Sequence, residues 1–142
     1  MTYALSRRFG WIYVDAPRDL PGFIRLFLTR LDPAAAAPAA TANCPLADVW
    51  QAINKVRVIG PAPIIDAILA MRAIDPDIEF FGAASDAARS GVLDALDMVM
   101  LPMLDGIVHQ DAMSIADAAI TAFIFDADQQ ARIRARLEAV AI

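Results

Sequence analysis

Met98-Val99-Met100-Leu101-Pro102-Met103-Leu104 runs without a charge between Asp97 and the turn signal Asp105-Gly106. Two readings of this stretch lead to two different proteins. A strand buried on both faces needs no polar alternation, and the run fits one. Starts near Val56, Ile78 and Met98 then recur at about 20-residue intervals with helical patterns between them, the signature of parallel βαβ units. Read instead as a helix, Val92, Leu93, Leu96, Val99, Met100, Met103 and Leu104 join in one apolar stripe. Pro102 speaks against that version, because inside a helix it removes an amide donor and costs about 3 kcal/mol. In a strand it stands near the end, where the lost donor matters less. The sequence therefore favours an α/β class, with a small parallel or mixed sheet and flanking helices in a flavodoxin-like or Rossmann-like three-layer arrangement. The alternative is a mostly α-helical assembly module. Met98 and Leu101 separate the two, being buried in the strand and outward-facing in the helix.

Working outward, Trp11-Ile12-Tyr13-Val14 reads as a strand, aromatic and β-branched. Leu20, Phe23, Ile24, Phe27, Leu28 and Leu31 then keep helical spacing, with Asp19 at the start and Asp32-Pro33 at the end. Residues 33–45 are mostly alanine with interspersed prolines, the composition of a loop or linker within a single 1–142 domain. Leu46, Val49, Trp50 and Ile53 predict a helix, and Val56 to Gly60 a strand. Ile64, Ile65, Ile68, Leu69 and Met71 predict another helix, stopped by Asp75-Pro76-Asp77. Ile78 to Gly82 reads as a strand, and Ser85-Asp86 as the cap of a helix through Leu96. Ser114-Ile115-Ala116-Asp117 resembles a capping box that opens a helix. Ile120 to Phe125 fits either helix or strand, and Asp126 to Gln129 caps a last helix carrying Ile133, Leu137 and Val140.

Of the 142 residues 58% are hydrophobic and only 20% charged, and the mean hydropathy is +0.49. No apolar stretch approaches the roughly 20 residues of a membrane helix. So apolar a chain is expected to cover part of its surface with a copy of itself or another protein. A net charge of −5 and a pI near 4.6 exclude the basic stripe of a nucleic-acid binder. Cys44 is the single cysteine, so no internal disulfide forms and a reducing, cytoplasmic setting is expected. Arg7-Arg8 is not followed by an apolar h-region, so no signal peptide is expected. The acids are 15 Asp against 2 Glu, and Asp favours caps and turns over helix interiors.

Several groups are candidates for chemistry. Val56-Arg57-Val58-Ile59-Gly60 ahead of a helix, with Asp86 beyond the next strand, has the layout of a dinucleotide-binding βαβ unit. Only Gly60 of the three glycines is present, and Pro61 and Pro63 remove amides that a phosphate would use. Asp15, Asp86, Asp105, Asp126 and Asp128 follow expected strands, where converging carboxylates could hold Mg²⁺. Phe123-Ile124-Phe125-Asp126-Ala127-Asp128 resembles the strand-plus-DxD opening of haloacid-dehalogenase phosphatases, which implies Mg²⁺-assisted phosphoryl chemistry. That family's motif begins its domain, whereas Asp128 lies near the end of this sequence and Gln130 replaces the family's Thr or Ser.

His109, the one histidine, has Asp111 two residues on as an orienting acid. Ser85, Ser90 and Ser114 lack a Gly-x-Ser-x-Gly elbow, and Cys44 has no cationic sequence neighbour to activate it. Arg132, Arg134 and Arg136 alternate around a helix and read as a solvated face or as salt-bridge partners of the acidic body. Met98, Met100, Met103 and Met113 read as core filler. The expectation is thus a non-catalytic oligomeric or partner-binding protein without a cofactor. The alternative is a small ligand-binding protein or Mg²⁺-dependent enzyme at the carboxyl ends of the strands. His109 and Asp105 would then be catalytic, Gly60 and Asp86 cofactor-binding, and Asp15 and Asp105 metal-binding.

Overall fold

The computed structural model describes residues 16–142, and six α-helices follow one another there: α1 Leu20–Leu31, α2 Pro45–Val56, α3 Ala62–Ile74, α4 Asp86–Ala95, α5 His109–Phe123 and α6 Ala127–Val140. No strand occurs among the described residues; a single parallel bridge, Ile107 with Ala141, is the extended pairing found there. The α/β expectation is overturned, and the chain is a helical bundle.

Local chemistry explains the helix ends. Asp19 accepts from the Gly22 amide at 2.9 Å to open α1, and Ser85 Oγ accepts from the Ala88 amide at 3.1 Å to open α4. Asp126 and Gln129 form a reciprocal capping box at α6. Proline stands in the first turn of α1, α2 and α3, where a missing amide proton costs nothing. Pro61 and Pro63 therefore start a helix. Ser114, by contrast, lies inside α5, which begins at His109.

The 98–104 stretch stays helical but changes gauge. α4 widens into a π turn over Leu96–Met100 and then tightens into a 3₁₀ turn over Leu101–Met103. The Leu101 amide reaches back five residues to the Leu96 carbonyl, which sets Leu101 above Leu96 on the buried side. Pro102, which could not have donated an α-helical bond, falls in the 3₁₀ turn. Met98 is 73% exposed while Leu101 is 7% exposed, so the stretch obeys neither a two-sided strand nor a regular helix. The other expected strands dissolve for separate reasons. Val56 ends α2, and the extended 57–60 connection bonds to that helix: Trp50 Nε1 donates to the Ile59 carbonyl at 3.1 Å, and the Ile59 amide to Asn54 Oδ1 at 2.8 Å. Ile78 and Phe80 are buried and Glu79 exposed, as a strand would have it. Yet the one backbone hydrogen bond from there to a distant segment, among the described residues, is that of the Gly82 amide to the Asn43 carbonyl at 2.7 Å. Trp11 to Val14 lie outside the described residues. Ile120 to Phe123 complete α5.

The most extensive helix pair is α2 with α5, followed by α5 with α6 and α3 with α4. Leu46, Val49, Trp50 and Ile53 of α2 are buried, as are Ala112, Ile115, Ala116 and Ala119 of α5, whose small side chains permit a close approach. Exposed ion pairs span the outside: Arg132 bonds Asp94 at 2.7 Å and Asp97 at 3.0 Å, and Arg134 bonds Asp117 at 2.7 Å. Arg25 donates to the Ala39 and Ala40 carbonyls and lies 5.0 Å over the Phe81 ring, holding the 33–44 connection against the 78–82 segment.

Candidate functional site

The sequence candidates do not converge. His109 is exposed in the first turn of α5, and Asp105 is exposed in the turn before it, where its carbonyl accepts from Arg57 at 3.2 Å. Asp86 begins α4 and pairs with Arg89 one turn on. Gly60 lies in the connection between α2 and α3, and Asp15 lies outside the described residues. Asp126 caps α6, and Asp128 is exposed in its first turn. With no sheet among the described residues, the strand-end position assigned to these groups has no counterpart there. No group of three or more His, Cys, Asp or Glu able to hold a metal ion occurs among the described residues.

Two clefts stand out among the described residues. The smaller, about 490 Å³, lies under the alanines of residues 35–39 and beside segment 76–82. Its Arg72 and Asp32 face each other at 3.9 Å. The larger, about 830 Å³, opens beside the α2–α5 pair. From α2 it takes Asp48, Gln51, Ala52 and Lys55, and from α5 Asp117, Ala118, Thr121 and Ala122. Asn43, Gly82, Ala83, Ala84 and Ile124 complete it. The helix period explains the α2 row, since residues at i, i+3, i+4 and i+7 share a face. Its opposite face carries Val49, Trp50 and Ile53 in the core.

The charges of this cleft are unequally satisfied. Asp117 is held by Arg134 of α6. Asp48 and Lys55 form no ion pair among the described residues. Partial burial pushes the Asp48 carboxyl above the ordinary carboxylate range. Behind it, Cys44 precedes α2 with its thiol buried, and its pKa is raised to about 11. Burial is the main cause; Asp48 adds to it, and the Ala47 and Leu46 amides and Arg25 oppose it. Such a thiol is inert at neutral pH.

The rim holds two positive-φ residues. Gly82, at φ +89°, has open space where a Cβ would stand, so the backbone conformation alone calls for glycine. Ile124 ends α5 at φ 53° and ψ 56°, and its amide closes on the Ile120 carbonyl. This left-handed residue turns the chain so that Phe125, buried, stacks on Phe123 at 5.7 Å. Glycine or asparagine fills such a position without strain, whereas a β-branched residue there is an outlier. The Ile124 side chain is 72% exposed, at the cleft. It gives up backbone comfort without burying itself.

Sequence reasoning overlooked Asp48, Gln51, Lys55, Thr121 and Ile124. One signal was available: Lys55 is the only lysine in the chain, and Asp48 and Gln51 share its helix face. No protein-family model, curated protein or solved structure matches this chain.

Proposed function

We propose that the protein is a binding protein whose α2–α5 cleft receives a small polar molecule. Ile124 carries the reading: a strained backbone held on an exposed apolar side chain concentrates at sites of function rather than of stability. The volume suits the role, as ligand clefts commonly enclose about 300–1,000 Å³. The lining suits a polar guest, since Asp48, Gln51 and Lys55 of one helix face Thr121 of the other beside the apolar Ile124. Amide-resolved NMR with a panel of small polar metabolites tests it. Shifts clustered on Asp48, Gln51, Lys55, Thr121 and Ile124 are expected; shifts scattered over the surface, or none for any compound, would overturn it.

Self-association is a second reading, favoured by α3. That helix bears only Asp66 and Arg72 as charges, yet Leu69 and Ile74 are 43% and 72% exposed. A helix apolar on all sides is normally enclosed. Sedimentation should then show a dimer or larger species that Leu69→Glu dissociates, and a monomer at high micromolar concentration would remove this reading.

A further inference from the structure

The charge pattern of the cleft narrows what it can hold. Asp48 and Lys55 are seven residues apart on α2, which puts their Cα atoms about 10.5 Å apart along the axis and nearly in line. One is anionic, one cationic, and neither has an ion-pair partner among the described residues. Arg134 already neutralises Asp117, so the cleft presents a dipole with little net charge. A phosphate or other polyanion would meet a single ammonium against Asp48. A polyamine would meet Lys55. Between the two charges stands Gln51, with Thr121 on the opposite wall. Neither side chain makes a hydrogen bond among the described residues, and each can both donate and accept. Ala52, Ala118 and Ala122 leave room beside them.

We propose that the ligand is a short peptide with free ends, its ammonium group on Asp48 and its carboxylate on Lys55. The proposal rests on the cleft being the binding site. An extended chain spans at most about 3.3–3.6 Å per residue, so a tripeptide of about 10 Å is comparable in length to the Cα separation of Asp48 and Lys55. Backbone N–H and C=O groups of the peptide alternate along its length, and Gln51 and Thr121 can satisfy both kinds. Ile124, in the same lining, offers an apolar surface to a peptide side chain.

The experiment is calorimetric and NMR titration of the full chain with trialanine, N-acetyl-trialanine, trialanine amide and free alanine. Trialanine should bind at the cleft, and blocking either end should weaken it at least tenfold. Asp48→Asn should abolish the preference for a free amino end and Lys55→Gln the preference for a free carboxylate, each leaving the other preference in place. Asp48 and Lys55 are both exposed, and the blocked-peptide comparison needs no variant. Equal binding of free and blocked peptides would overturn the proposal. So would silence toward trialanine while other polar compounds shift the cleft residues, an outcome that leaves the cleft as the binding site. If no compound of any class perturbs the cleft, the site itself falls and the peptide with it.

Discussion

Leu101 and Ile124 both stand where an α-helix gives way, one above a π turn and the other in a left-handed residue. Around Leu101 the departure is compensated on the spot. The wider turn brings Leu101 over Leu96, lets Pro102 enter a 3₁₀ turn, and leads Leu104 and Ile107 into the core. At Ile124 the turn itself is useful, because it seats Phe125, but the choice of isoleucine is not. Glycine would make the same turn without the roughly 1–2 kcal/mol that left-handed geometry imposes on an ordinary residue. An irregularity whose side chain is buried belongs to the structure. One whose side chain stands in a cleft asks for another explanation.

The largest expected effect tests the first half of that contrast. Leu101→Asp places an unpaired carboxylate in the core and should cost more than about 3 kcal/mol. Met98→Asp, on the open side of the same turn, should stay within about 0.5 kcal/mol of wild type. Urea denaturation followed by circular dichroism measures both. Equal tolerance would mean that the π turn does not rotate Leu101 inward, and equal damage that Met98 is covered.

A smaller effect tests whether α2 is as firmly buried behind the cleft as it is open within it. The Cys44 thiol holds its proton more tightly in the folded chain, near 11 against an ordinary 9.0. Its contribution is therefore unchanged below pH 9 and turns unfavourable as pH rises from 9 toward 11. The loss should reach roughly 2–3 kcal/mol. The stability difference between wild type and Cys44→Ala, measured by denaturant titration at pH 8 and pH 11, should shift against wild type by that amount. A difference independent of pH would show a thiol open to solvent.

Part of this architecture was legible in the sequence. α1 could be read because Leu20, Ile24, Phe27 and Leu31 keep one face and Asp19 and Asp32-Pro33 mark both ends, and α6 because Asp126 and Gln129 announce their box. The sheet was misread because Ile78 and Phe80 do alternate inward, but with no neighbouring strand among the described residues to pair with. Pro102 misled further: its penalty is real for a regular helix, and a π turn followed by a 3₁₀ turn avoids it. The cleft was harder to see. Asp48, Gln51 and Lys55 repeat as any solvated helix face does, and Thr121 and Ile124 join them only through the packing of α2 on α5. Nothing local in Phe123-Ile124-Phe125 marks a left-handed residue, since glycine or asparagine would be the usual sign.

Ile124→Gly tests the central claim most directly, through stability and binding measured on the same preparation. Relief of the left-handed strain, less the added freedom of glycine in the unfolded chain, should raise stability by roughly 0.5–1 kcal/mol. Trialanine, or whichever compound shifts the cleft residues, should bind the variant several-fold more weakly. A variant that is more stable and binds as well as wild type would leave Ile124 without a role in the cleft and contradict the account.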